Sequence, residues 1–441
     1  MGEVSISRRG LLGGLTATAA LGALSACDGA DDAPPPPPVG SAPPLDPNSW
    51  ASVRAQFALD TAKAQFAAFV FASPPAMVRD AIARHRAGLD ADTFGYLHEN
   101  EEGALERIHV GASRYLGVPG TDVCFTDSTT MGLGLLYGGI KLRPGDEVLT
   151  TEHDFFSTHE SLRLRAERDG VTVRRVRLFA QSAAASTDEI VSALVKALTP
   201  ATRVVAVTWV HSSTGVRLPI RAMADALAEH NRDRAPEQRA LLCVDGVHGF
   251  GAVDAGPAEL GCDFLVSGCH KWLFGPRGTG LVWGKPEAWA RFQPTIPAFE
   301  NAAFGRWMGL SQLPPNPAGS PGGYHAFEHQ WSLAEAFEFH RTVGRARIAE
   351  RTTALATRLK DGLAGISGVT LFTPRSAELS AGVVCCNVGS LHPGMAAAQL
   401  RDKGVITSTT PYEPSYLRFG TSILTGEDDV DRALAAVRSL G

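Results

Sequence analysis

The chain has little cysteine, little net charge and no long apolar run, and each scarcity closes off a class of protein. Seven cysteines in 441 residues show neither a CxxC pair nor the Cys/His spacing of a metal site, so neither a bound metal nor a disulfide framework is expected. Cys124, Cys243, Cys385 and Cys386 sit in apolar, strand-like runs and read as buried thiols. A formal net charge of −5 and a pI near 6.2 offer no basic field to a phosphate backbone, so small molecules rather than nucleic acids are the expected partners. No repeat period is present. The Ala/Gly/Leu stretch that ends at Leu24 is too short and too rich in small residues to make a stable spanning helix.

That stretch follows Ser7-Arg8-Arg9-Gly10-Leu11-Leu12, a twin-arginine pattern, and runs into Leu24-Ser25-Ala26-Cys27, which is similar to a lipobox. Residues 1–27 therefore read as a twin-arginine export signal with a lipobox. The expected location is periplasmic, with membrane contact only through a lipid on Cys27. Residues 28–48 form a tether in which Pro34 to Pro38 favour polyproline II. The expected division beyond it is a large domain over 49–300, a loop segment over 301–326 and a small C-terminal domain over 327–441.

Ala51 to Ala87 is expected to be helical, with a break at Ser73-Pro74-Pro75, and Glu102 to Leu116 forms a second helix. Strands then alternate with helices: Val123 to Thr126, Glu147 to Thr151, Thr172 to Val176, Arg203 to Thr208, Leu241 to Asp245, and two more from Phe264 and Gly280. Alternation with continuous apolar runs such as Val204 to Val207 predicts an α/β fold whose mostly parallel sheet is covered on both faces. Active sites in such folds lie at the strand ends. Phe299 to Tyr324, rich in proline and glycine, is expected as loop, followed by one long helix from Phe327 to Leu363. Strands at Val369 to Phe372, Gly382 to Val388 and Tyr416 to Phe419, with a helix from Asp428 to Leu440, make a small α+β unit.

The chemistry gathers around Lys271, between His270 and Trp272 in the strand–turn–strand stretch Cys262 to Trp283. An ammonium beside apolar walls loses hydration and its pKa falls, which is the state a Schiff-base lysine needs; a snorkelling lysine at a strand end is the alternative. Ser128, Thr129 and Thr130 lie where a strand turns into a helix, a place suited to binding phosphate and equally to capping the helix. His153 follows the next strand and could stack on a flat heteroaromatic ring. Asp245 ends an almost wholly apolar strand, where a carboxylate needs a cationic partner, and His248 faces the same place.

In this order, phosphate turn, strand-end His, strand-end Asp, then Asp-x-x-His and His-Lys-x-x-x-Gly-Pro, the residues from about Phe94 to the C-terminus resemble the class V aminotransferases. These are fold type I pyridoxal-phosphate enzymes that include the isopenicillin N epimerase and cysteine desulfurase group. The resemblance implies a large domain with a mostly parallel seven-stranded sheet, a smaller C-terminal α+β domain and a homodimer. It implies that Lys271 forms the Schiff base with pyridoxal 5′-phosphate, Asp245 pairs with the pyridinium nitrogen, His153 stacks on the ring, and His248 and Ser212 approach the ring oxygen. Ser128, Thr129, Thr130 and His270 would hold the phosphate. Arg418, in Leu417-Arg418-Phe419-Gly420, would clamp a substrate carboxylate, a task suited to its planar fork.

Two departures bear on function. The loop Thr407 to Glu413 lacks the cysteine on which desulfurases carry sulfur, and Ala326 stands near where relatives offer the neighbouring subunit's phosphate a hydroxyl. The implied activity is transamination at the amino-bearing carbon of an amino acid or amino-acid-derived metabolite. The alternatives are epimerisation, for which Tyr412 or Glu413 would supply a second acid, β-elimination, or tailoring of a side chain as in periplasmic enzymes that remodel the acyl glutamate of pyoverdine siderophores. A lipid-anchored binding protein without catalysis is the reading from another class.

Overall fold

The computed structural model describes residues 41–310 and 316–440. The twin-arginine pattern, the lipobox with Cys27 and the Pro34 to Pro38 run lie outside the described residues.

Helix Trp50–Ala55, a short strand β1 (Ala64–Gln65) and helices Ala76–Ala91 and Thr93–Leu116 open the fold. The last is capped by Asp92, whose carboxylate accepts the Gly95 N–H at 3.0 Å, and it ends at Gly117 in the left-handed region. The central sheet holds β2 (Val123–Thr126), β3 (Glu147–Thr151), β4 (Thr172–Val176), β5 (Thr202–Thr208), β6 (Leu241–Asp245), β7 (Phe264–Gly268) and β8 (Gly280–Gly284). Their order is β2-β8-β7-β6-β5-β3-β4, with β8 antiparallel to both of its neighbours and the other pairs parallel. The apolar runs of β5 and β6 divide by the two-residue period of a strand. Val205, Val207, Leu242 and Val244 enter the core on one face, Val204, Ala206, Leu241 and Cys243 that on the other.

The C-terminal unit is built on β9 (Val369–Leu371), β10 (Val383–Val388), β11 (Val405–Ile406), β12 (Ser408–Thr409) and β13 (Leu417–Gly420). Four of these make an antiparallel sheet in the order β12-β13-β10-β9, while β11 pairs in parallel with β1. Helices Arg345–Ala364 and Glu427–Arg438 complete its core.

Three expectations about elements need correction. Ala51 to Ala87 is not one broken helix: between its two helical pieces the chain runs as a strap that puts Ala64 and Phe66 into the C-terminal core and Phe69 into a cluster with Trp272 and Val383. The phenylalanines there serve separate cores rather than one helical face. The segment expected as loop contains a helix, Asn301–Trp307. The long helix from Phe327 is three, Phe327–Trp331, Leu333–Val343 and Arg345–Ala364, broken at Ser332 and at Gly344, whose φ of 95° suits only glycine. Leu333 and Phe337 pack into the core of the large sheet, whereas Leu355 and Leu359 enter the C-terminal core. Between them Phe339, Val343 and Ile348, on both sides of Gly344, share a third cluster with Phe57 and Phe274.

Candidate active site

The carboxyl ends of β2, β3, β5, β6 and β7 deliver their side chains to one edge of the sheet. After β2 the chain enters helix Thr129–Gly139, and Ser128 is its cap, with Oγ accepting the Met131 N–H at 3.1 Å. Thr130 Oγ1 lies 2.9 Å from Ser157 Oγ. Thr129 differs from both, because its Oγ1 is buried with no partner. A Cβ added at Gly268 would lie 2.9 Å from Thr129 Oγ1 and 3.0 Å from His270 Cε1. Glycine thus keeps open the space where those two side chains meet beside a helix N-terminus. Ala326 lines a cavity of about 270 Å³ with Asp127, Thr279 and Gly280, next to this turn.

His153, beyond β3, stacks on Phe179 with ring centres 4.3 Å apart and planes 9° from parallel. Its Nε2 is buried without a partner, and burial lowers its pKa, so the ring is neutral. Neighbouring Asp154 accepts hydrogen bonds at 2.7 Å from Thr150 Oγ1 and from the N–H groups of Thr151 and Thr208, which ties β3 to β5. Asp245, at the end of β6, is 1% exposed. Desolvation pushes its carboxyl up to about 7, against the Val247 N–H at 3.0 Å and the charge of Lys271.

Lys271 sits in a turn closed by Gly275 N–H to Cys269 O (2.8 Å) and Phe274 N–H to Lys271 O (3.1 Å). Phe274 has φ 54°, a left-handed backbone that costs a non-glycine residue roughly 1–2 kcal/mol. It is held there by a ring buried edge-on against Phe57 at 5.1 Å. Strain of this kind gathers at working sites. The Lys271 amine is driven down to about 8, by burial first and the Arg418 charge next, with Asp245 opposing. Trp272 Nε1 donates to His248 Nδ1 at 3.1 Å. An indole N–H can only donate, so the His248 proton sits on Nε2, and burial with the nearby cations keeps the ring neutral.

Arg418 reaches the site from β13. Its Nε donates to Ser408 Oγ and its Nη1 to the Ser212 carbonyl, both at 3.1 Å, and its guanidinium lies 4.8 Å above the Phe69 ring. Phe69 in turn stacks on Trp272 and meets the edge of His248. Ser212 Oγ lies 2.7 Å from Tyr412 Oη. Lys271, Asp245, His248, Ser212 and Arg418 are thereby brought together, with Thr129 and His270 at one side and His153 at another.

Some members of this group escape a reading by motif. Phe69 carried no signal beyond being aromatic. Asp154 carried the same signal as Asp245, a carboxylate closing a buried strand. His211 is fully buried with both ring nitrogens unpartnered and its centre 5.3 Å from His153.

The residues fit a flat, phosphorylated, nitrogen-containing cofactor. Thr129 Oγ1, His153 Nε2 and Thr208 Oγ1 are buried polar atoms lacking a partner, a costly state unless a ligand supplies one. With a buried carboxylate and a desolvated lysine at the same strand ends, the fold and site define a pyridoxal-5′-phosphate-dependent enzyme of fold type I. The chain belongs to the class V aminotransferase family, whose description, Aminotransferase class-V, it matches over residues 88–412. It is similar to the isopenicillin N epimerases of Amycolatopsis lactamdurans (28% identical; 89% of this chain, 98% of that protein) and Streptomyces clavuligerus (26%; 83% and 92%). The solved structure of a C-DES mutant with glycine covalently linked to the pyridoxal-phosphate cofactor shares the fold at a TM-score of 0.78 and 20% identity, covering 88% of this chain and 99% of that one.

Proposed function

We propose that this enzyme moves the proton on the amino-bearing carbon of a carboxylate-bearing amino acid or amino-acid-derived group. The observation that carries the reading is the meeting, at one set of strand ends, of Lys271 with the buried carboxylate of Asp245 and the guanidinium of Arg418, whose charges act on its amine. Pyridoxal phosphate, when bound, supplies the electron sink that makes such a C–H bond acidic. Lys271 Nζ, partly unprotonated near neutral pH, takes that proton. With the cofactor bound, Asp245 would hold a proton on the pyridine nitrogen, His248 Nε2–H and Ser212 Oγ would serve the ring oxygen, and Thr129 with His270 would receive the phosphate. Arg418 fixes the substrate carboxylate.

Where the proton returns decides the product. Return to a different carbon completes transamination, and return to the opposite side of the same carbon gives an epimer. The second outcome is favoured by the likeness to isopenicillin N epimerases. Sulfur transfer is disfavoured, because Thr407 to Glu413 contains no cysteine and the six described cysteines are buried. Stopped-flow spectra of the loaded enzyme against a panel of amino acids and aminoacyl peptides, with product analysis, test the reading; no spectral change with any of them would overturn it.

Arg418→Leu should lower kcat/KM for the best substrate by ~2–5 kcal/mol, the cost of removing one partner of a buried charge pair. The loss should fall mainly on KM, and an unchanged kcat/KM would remove Arg418 from the carboxylate site. We also propose, from residues 1–27 and the family resemblance, that the protein acts in the periplasm as a homodimer held by a lipid on Cys27. Among the described residues no helix is long and apolar enough to cross a membrane. Fractionation of cells producing the full chain and a Cys27→Ser variant, followed by sizing of the purified enzyme, checks location and assembly together.

A further inference from the structure

Tyr412 hangs from a loop that holds itself in shape. Thr410 N–H donates to Tyr416 O at 2.8 Å, Tyr416 N–H to Thr410 Oγ1 at 2.8 Å, and Ser415 Oγ to Thr410 O at 2.7 Å. Tyr416 is further stacked on Phe372 with ring centres 3.8 Å apart. A side chain on so braced a loop is aimed rather than floppy. Its ring packs edge-on against Phe155 at 6.0 Å, its hydroxyl lies 2.7 Å from Ser212 Oγ, and Arg418 is close enough for the two to perturb each other's charge.

Sheet order places this phenol relative to Lys271. Phe155 follows β3, Lys271 follows β7, and β6 and β5 lie between those strands. Arg418 is pinned by its bond to the carbonyl of Ser212, which follows β5, and the charges of both Lys271 and Tyr412 reach it. The amine thus belongs to the β7 side of the Arg418 guanidinium, and the phenol, through Phe155, to the β3 side. Burial raises the pKa of the phenol, so it rests with its proton on.

We propose that Tyr412 is a catalytic residue that delivers a proton to the amino-bearing carbon from the side away from Lys271, so that the enzyme inverts that carbon. This rests on the proton-transfer reading above. Lys271 Nζ takes the proton from carbon, and the C–H electron pair stays with the cofactor-conjugated carbon. Tyr412 Oη then gives its proton to the other side of the same carbon, whose pair makes the new C–H bond. The phenolate, facing Arg418, regains a proton from solvent by way of Ser212 Oγ, and the Lys271 ammonium releases one. No electron is gained or lost, and the net change is one of configuration.

Tyr412→Phe keeps the ring against Phe155 and deletes only the hydroxyl. Loaded wild-type enzyme in D2O should exchange the α-hydrogen of both enantiomers of its substrate and interconvert them. Tyr412→Phe should lose inversion by roughly 10²-fold or more and still exchange, near the wild-type rate, the one enantiomer whose hydrogen faces Lys271. Equal loss of exchange from both enantiomers would make Tyr412 a positioning residue only, and unimpaired inversion would exclude it altogether. Absence of exchange by the wild-type enzyme would instead overturn the proton-transfer reading on which the proposal stands. In cofactor-free protein, the tyrosine ¹³Cζ resonance missing from Tyr412→Phe should shift in Ser212→Ala. An unmoved resonance would remove the relay through Ser212.

Discussion

Lys271→Ala should yield a protein without turnover, without the visible band of amine-bound pyridoxal phosphate, and with no cofactor retained after borohydride reduction and denaturation. The pKa alone would not single this lysine out, since burial also drives Lys360 down to about 8. Surroundings separate them. Lys360 Nζ is committed to the carbonyls of Pro374 and Arg375 and to Ser380 Oγ at 2.6–3.0 Å, a satisfied structural cation in the C-terminal unit. Lys271 faces a carboxylate and an arginine at the strand ends. A reducible adduct surviving in Lys271→Ala, mapped to Lys360 by peptide mass, would reverse the assignment. In the wild type the neutral amine is the attacking form. Capture of the cofactor by the empty protein should therefore speed up about tenfold per pH unit below about 8 and level off above it.

The second large effect opposes stability to activity at Asp245. Replacement by Asn should cut turnover roughly 10²–10³-fold, the scale on which loss of one preorganised electrostatic partner acts, because the amide no longer holds a proton on the pyridine nitrogen. The same change should stabilise the cofactor-free protein at pH 8. The sign follows from the raised pKa: burial lifts the carboxyl from an ordinary 3.8 to about 7, so the folded state binds this proton more tightly than the unfolded chain. Its contribution to stability therefore falls as pH rises from about 4 to about 7 and stays at its minimum above that. The ionised carboxylate then costs at most about 4 kcal/mol, which the amide does not incur. Melting temperatures of the two empty proteins should differ at pH 8 and converge near pH 4. A variant less stable than wild type at pH 8 would mean that the charged carboxylate is satisfied within the protein.

What could be read from sequence was whatever a strand states locally. Leu241 to Asp245 forms a strand over those residues, because apolar continuity and a polar stop are properties of adjacent residues. His270, Lys271, Asp245, His248 and Arg418 stand in motifs whose spacing is itself local and is legible without the fold. Contacts across the chain were hidden. The strap from Ala64 to Ala72 finds its partners in β11 and in Gly420, and Phe69 supports Arg418 from the far end of the sequence. Side-chain duties were hidden as well: nothing in Asp-Ser-Thr-Thr tells that Ser128 caps the helix and Thr130 turns to Ser157 while Thr129 is left without a partner. The break at Gly344 lies inside a cluster that takes Val343 and Ile348 from either side of it, between the core of the large sheet and that of the C-terminal unit, a path that helical periodicity does not record.

The pairing of β1 with β11 carries a consequence for the order in which the protein can be finished. Synthesis releases the strap early, yet Ala64 and Gln65 have no strand to pair with until Val405 and Ile406 have been made, and contacts so distant in sequence are slow to close. Phe66 likewise offers its carbonyl to the Gly420 N–H at 2.7 Å, and Ala72 N–H reaches the His270 carbonyl at 3.3 Å. One short segment therefore joins the turn bearing Lys271 to the strand bearing Arg418, and it can do so only after Gly420 has been made. A nascent chain that already has its large sheet holds the strap with neither of its distant partners, so the grip on substrate that Arg418 provides matures later than the cradle around Lys271.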